Sequence, residues 1–294
     1  MFIKAIETAT QFTKPIHTIE RFYGSEEINP GAATLFIVNS EGWALTCKHV
    51  AGLLIAGDQL AKRKTNFDSD LAAMRGKKKE KQIIKDLQHK YNLNNKTLFE
   101  IKSLFFNCID GKLDLEIKAH PDLDVALIKF KNFTKLVCSN FPIFPKDTTS
   151  LKQGKYLCRL GFPFPEFTNF ELDKTKDTIN WTKVGRENTP IFPIEGMVTR
   201  HLVGKDGKII GFEMSTPGLR GQSGGPAFDV DGKVWGMQSA TNHLDLNFDV
   251  DMEVFRSGQK KRIHESAILH VGHCVHVDIL KSFMKQHDVA YKEE

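Results

Sequence analysis

An all-β protein of two packed barrels or sandwiches is the fold that the sequence predicts. Two observations predict it. Short runs of strand-forming residues recur along the chain, each bounded by Gly, Pro, Asn or Asp turn signals. A stretch at 132–150, with Phe141-Pro142 and Phe144-Pro145, then divides these runs into two sets. Helical periodicity is confined to an insertion at 58–103 and a closing stretch at 278–290.

Composition narrows the class. A chain of 294 residues, 40% hydrophobic and 26% charged, buries a substantial core in one or two compact units. The net charge of +5 gathers largely in one segment and reads as a solubility feature. Cys47, Cys108, Cys138, Cys158 and Cys274 are widely spaced, without a CxxC pair. That pattern fits reduced, buried thiols rather than a disulfide framework or a zinc site. Met1 to Thr10 lacks the apolar run of a secretory signal, and no stretch reaches the length of a membrane span. A cytoplasmic protein with no membrane association is expected.

In chain order, residues 1–30 read as an irregular lead-in with one strand near 17–23. Residues 33–38 and 43–46 form a hairpin around Asn39-Ser40-Glu41-Gly42, which places His49 just beyond a strand end. Between 58 and 103 lysine and arginine cluster, at Lys62-Arg63-Lys64 and Arg75-Gly76-Lys77-Lys78-Lys79, beside a helical stripe of Ile83, Ile84, Leu87 and Tyr91. Short charge runs without interleaved aromatics are solvated faces, so nucleic-acid binding is not expected. Strand character resumes at 104–107, 113–117 and 125–130, with Asp124 at the start of the last run. A charge beside an apolar strand is costly unless paired. Strands follow at 156–160, 195–202, 209–215, 226–230, 234–239 and 270–277, separated by polar excursions at 165–190 and 242–266. The domain boundaries read as an N-terminal barrel at 17–135 carrying the insertion, a C-terminal barrel at 150–278, and the closing helix.

The chemistry centres on Gly221-Gln222-Ser223-Gly224-Gly225-Pro226. Flanking glycines permit a sharp turn that exposes the Ser223 hydroxyl and points the amides of Gly221 and Ser223 at one spot, the geometry that holds an oxyanion. A serine nucleophile needs a base, itself held by a third group. His49, Asp124 and Ser223 supply these in the order His, Asp, Ser.

Thr46-Cys47-Lys48-His49-Val50, Asp124-Val125-Ala126-Leu127 and the serine turn together resemble the three signatures of chymotrypsin-fold serine proteases. Leu160-Gly161-Phe162-Pro163, Glu195-Gly196-Met197-Val198, Asp231-Gly232-Lys233-Val234-Trp235-Gly236 and His276-Val277-Asp278 are similar to the HtrA/Deg-type subgroup. The resemblance implies two six-stranded antiparallel β-barrels in a single trypsin-like protease domain. It implies a serine endopeptidase with His49, Asp124 and Ser223 as triad and Gly221 and Ser223 amides as oxyanion hole. Pro217, Gly218, Ser239, Ala240 and Thr241 would line the substrate pocket; with no acidic residue among them, small or medium apolar side chains are expected there. Gln222 stands where zymogen-activated members carry an aspartate, which argues against activation by a freshly cut N-terminus. HtrA-type proteins usually carry a PDZ-like module after the protease domain; the expectation for this sequence is a protease domain without one.

Three rivals are weighed. Gly221-Gln222-Ser223-Gly224-Gly225 also fits the G-x-S-x-G elbow of α/β-hydrolases, but that fold needs a helix after the serine and its acid and histidine downstream, whereas Pro226 and Asp231-Gly232 follow. His264, His270, His273, Cys274 and His276 match no standard zinc spacing, so no metal or other cofactor is expected. A protease-fold module that is catalytically silent, or activated by a protein partner docking on the 58–103 insertion, is the alternative from another class. The expected ligand is a protein or peptide substrate.

Overall fold

In the computed structural model, which describes residues 1–76 and 79–294, helix α1 (Ile3–Phe12) leads into β1 (Thr13–Phe22). The lead-in is therefore helical where the sequence reads as irregular. Its threonines disguise a buried stripe of Ala5, Ala9 and Phe12, and Phe2 packs edge-on against Phe228 of the second half.

The chain continues through β2 (Asn29–Ile37), β3 (Trp43–Thr46), α2 (Lys48–Met74), α3 (Glu80–Lys90), β4 (Leu98–Phe105), β5 (Ile109–Ala119) and β6 (Ala126–Leu136). Its strands form one six-stranded antiparallel sheet in the order β4-β1-β2-β3-β6-β5. The helical insertion is present with shifted limits. Helix α2 starts at Lys48, well before residue 58, and the end of the insertion belongs to β4. Gly52 and Gly57 mask the start, because glycine lowers helix propensity. Gly57 also lies against the sheet, since a Cβ there would be 3.4 Å from the Ile101 carbonyl oxygen. Phe67, Ile83, Leu87, Leu93 and Phe99 form a small core of their own beneath the two helices. Within the basic run, Lys77 and Lys78 lie outside the described residues.

The connecting stretch holds β7 (Ile143–Phe144). Then come β8 (Tyr156–Arg159), β9 (Phe170–Asp173), β10 (Thr178–Trp181), β11 (Ile194–Val203), β12 (Ile209–Met214), β13 (Pro226–Phe228), β14 (Val234–Arg256), β15 (Gln259–His276), α4 (Val277–Gln286) and β16 (Lys292–Glu293). Six of these close a barrel in the order β11-β12-β15-β14-β13-β8. The excursion at 165–190 contains the β9–β10 hairpin, and β16 pairs in parallel with β7. The excursion at 242–266 is not irregular: β14 and β15 stay paired out to Arg256 and Gln259 as a long exposed ribbon. Cross-strand pairs such as Met252 with Ile263 alternate there with charged pairs such as Glu253 with Arg262. Polar composition hid this alternation.

One continuous core runs through both halves, from Leu35, Leu45 and Leu127 to Leu157, Phe212 and Met237. Two six-stranded antiparallel sheets, a helical insertion in the first and a C-terminal helix make this a chymotrypsin-type fold.

Candidate active site

Strand β3 ends at Thr46, and buried Cys47 turns the chain into α2, so His49 sits in that helix's first turn. Asp124 precedes the fully buried run Val125 to Ile128. The two meet: His49 Nδ1 lies 2.9 Å from Asp124 Oδ2 and 3.1 Å from Oδ1, and the His49 amide donates to Oδ1 at 3.0 Å. The Ser239 hydroxyl donates to Oδ2 at 2.5 Å. Burial pushes the Asp124 carboxyl up, but the hydrogen bonds from His49 and Ser239 outweigh it and bring the pKa down to about 2.

Ser223 stands between Gly221 at φ +96° and Gly224 at φ +89°, backbone angles that other residues avoid. Gly224 also has no room for a side chain, since a Cβ would fall 2.0 Å from the Thr34 carbonyl oxygen. Strand β13 follows the turn, so the helix of a hydrolase elbow is absent from this position. The amides of Gln222, Gly224 and Gly225 donate to Leu219, Gln238 and Gln222 carbonyls, whereas those of Gly221 and Ser223 have no protein acceptor among the described residues. The Gly221 carbonyl is turned away and accepts the Thr34 hydroxyl at 2.7 Å. Two free amides thus flank the serine hydroxyl.

Ser223 and His49 face one cavity of about 230 Å³ between β2, α2 and the serine turn. Their direct hydrogen bond is not made among the described residues; the Ser223 hydroxyl donates instead to the Ser239 carbonyl at 3.1 Å. Pro217, Gly218, Ser239, Ala240 and Thr241 line a second cleft, of about 570 Å³, on the other side of Ser223. Thr241 ties its two walls by donating to the Gly218 carbonyl at 2.6 Å.

Four residues take roles here that sequence reasoning did not assign to them. Gln222 is buried and braces the serine turn, its Oε1 accepting from the Leu219 amide at 3.0 Å and its Nε2 donating to the Phe192 carbonyl at 3.1 Å. Its place beside the nucleophile was the available signal. Ser239 holds the aspartate as well as lining the cleft. Gln238 lines the cleft and Arg159 lies behind it, donating to Gln238 Oε1 and the Pro217 carbonyl; the two are too far apart in sequence for any local pattern to join them.

The histidines near the end of the second half form separate contacts. His270 pairs with His243 at 2.6 Å, and His276 caps α4 by accepting from the Asp278 amide at 3.2 Å. The Cys274 thiol is pushed up to about 12 by burial. Among the described residues, the one group of three metal-ligating side chains that converges is Cys47, His49 and Asp124. Burial holds the Cys47 thiol protonated, and it donates to the Gln238 carbonyl, so it is a poor ligand.

A two-sheet chymotrypsin-type fold with a histidine–aspartate pair facing a glycine-flanked serine defines a peptidase class. The chain belongs to the family of the trypsin-like peptidase domain, whose description matches residues 33–237. Similar solved structures include two of the HtrA-type protease AlgW with a tripeptide; each is 12% identical with a TM-score of 0.48, covering 97% of this chain and 62% of the other. The chain thus spans less than two thirds of the length of those chains. No curated protein sequence matches it.

Proposed function

We propose that the protein is a serine endopeptidase acting on protein or peptide substrates in the cytoplasm, without a cofactor. The observation that carries this reading is the His49–Asp124 pair set across a cleft from two unengaged amides at Ser223. Rotation of the Ser223 side chain away from the Ser239 carbonyl brings Oγ toward His49 Nε2. Oγ then attacks the scissile carbonyl while His49 takes its proton. Asp124 keeps the proton on Nδ1 and stabilises the imidazolium. The Gly221 and Ser223 amides hold the oxyanion, each donor contributing about 10²–10³-fold in rate. Collapse of the tetrahedral species breaks the C–N bond, the leaving amine takes the proton from His49, and water repeats the sequence on the acyl-enzyme.

A second reading has its own observation. The Ser223–Ser239 bond holds the hydroxyl away from its base, as in a resting enzyme that waits for a partner or a silent binding module. The exposed α2–α3 insertion, whose first helix carries His49 in its opening turn, would be the place for such a partner to act. Labelling with a fluorophosphonate separates the two. Wild-type protein is expected to label at Ser223, with the rate falling by about 10⁴-fold or more in Ser223→Ala and His49→Ala. Folded wild-type protein that does not label would count for the second reading.

A further inference from the structure

The cleft that Ser239, Ala240 and Thr241 line rests on a charge that its surroundings do not neutralise. Arg159, the last residue of β8, is 0% exposed. Its Nη2 donates to the Thr216 carbonyl at 2.9 Å, the Thr216 hydroxyl at 2.7 Å and the Pro217 carbonyl at 3.0 Å. Its Nη1 donates to Gln238 Oε1, and its Nε has no partner. Every acceptor is a neutral oxygen. An arginine keeps its proton inside proteins, so a full positive charge sits beneath the cleft. Burying an unpaired charge costs several kcal/mol in general terms, and the fold makes room for this one: a Cβ on Gly272 would fall 2.0 Å from Nη1.

The nearby carboxylates are committed elsewhere. Glu213 forms a two-pronged pair with Arg200 and accepts from Asn242, and Asp124 serves His49 and Ser239. Among the described residues no aspartate or glutamate lines the cleft, whereas exposed Arg220 and the His243–His270 pair stand at its rim.

Gln238 carries the polarity of Arg159 to the surface of the cleft. With Oε1 fixed on the guanidinium, Nε2 is the end that lies against Gly218, where a Cβ would meet it at 2.1 Å. One of its protons goes to the Ala240 carbonyl at 2.6 Å, and the other is left as a donor.

We propose that this cleft is a primary specificity pocket for a carboxylate side chain, glutamate or aspartate, on the residue before the cleaved bond, with Gln238 as contact and Arg159 as its positioning residue. This replaces the apolar preference expected from the lining residues alone, which left out a cation supplied by a distant strand. The proposal rests on the peptidase reading, and a binding assay separates the two. Peptides that span the cleaved bond and differ only in that residue (Glu, Gln, Ala, Leu or Lys) are bound to Ser223→Ala by fluorescence anisotropy and offered to wild-type protein for cleavage.

The Glu peptide is expected to bind and be cleaved about tenfold better than the Gln or Leu peptide, as for one charge-assisted contact. Arg159→Lys should keep much of the Glu-to-Gln ratio and Arg159→Met abolish it. A purely structural loss would lower all peptides together and leave the ratio unmoved. Where Arg159→Met does not fold, Arg220→Gln carries the test from the rim and should reduce the ratio about threefold, the weaker effect of an exposed charge. Gln, Ala or Leu binding as well as Glu overturns the pocket. Glu-selective binding without cleavage leaves the pocket standing and removes the peptidase reading; cleavage without Glu selectivity does the reverse.

Discussion

Asp124 is kept ionised by its neighbours rather than by solvent, and that gives a pH dependence with a definite sign. Its folded pKa of about 2 lies below the unfolded value near 3.8. The folded state therefore gains from ionisation above pH 4, and the gain is lost as pH falls through about 2. Asp124→Asn removes the titration. The stability difference between the two proteins, read by urea unfolding through Trp43, Trp181 and Trp235, should shrink between about pH 4 and 2. A difference that does not change with pH would show that the contacts of Asp124 do not depend on its charge. At this scale the sequence was unevenly legible. His49, Asp124 and the serine turn each carry a local signature. Arg159 and Gln238, 79 residues apart, carry none, because their meeting depends on how β8 and β14 are arranged around the barrel.

Among the elements, the α2–α3 insertion reads from sequence as a charged helical segment set into the first barrel. Its charged face hides Phe67, which packs edge-on against Phe99 at 5.5 Å and Tyr91 at 5.6 Å. Phe99 belongs to β4, so the insertion shares its small core with a strand of the first sheet. Phe67→Ala should cost about 3–5 kcal/mol within that core. Amide exchange should quicken in α3 and the second half of α2 while the closed barrel keeps its protection. Faster exchange throughout would mean that the insertion and barrel unfold as one unit. The long β14–β15 ribbon was missed for a related reason. Its core segment is apolar, and beyond Thr241 the same strands run exposed, where alternating charges read as a loop unless the cross-strand partner is known.

Across the whole molecule, the two halves contribute different parts of one site, so something must fix their register. His49 and Asp124 come from the first half of the chain, Ser223 and the Gly221 and Ser223 amides from the second. Thr34, buried in β2, joins them: its amide donates to the Ser223 carbonyl at 3.0 Å, and its carbonyl accepts the Thr46 hydroxyl at 2.7 Å. Its hydroxyl donates to the Gly221 carbonyl at 2.7 Å and accepts from the Phe162 amide at 3.2 Å. The hydroxyl thus holds the Gly221 carbonyl out of the oxyanion site. Thr34→Val keeps the shape of the side chain and removes that hold. Leaving buried polar groups unpaired should lower stability by about 1–3 kcal/mol. Fluorophosphonate labelling of the folded protein should slow further, by about tenfold or more, because the Gly221 peptide is then free to turn its carbonyl inward and remove one oxyanion donor. Thr34→Ser, which restores the hydroxyl, should recover the labelling rate. If Thr34→Val is less stable yet labels at the wild-type rate, the serine turn holds its geometry without help from the first sheet, and the coupling of the halves lies in His49 and Asp124 alone.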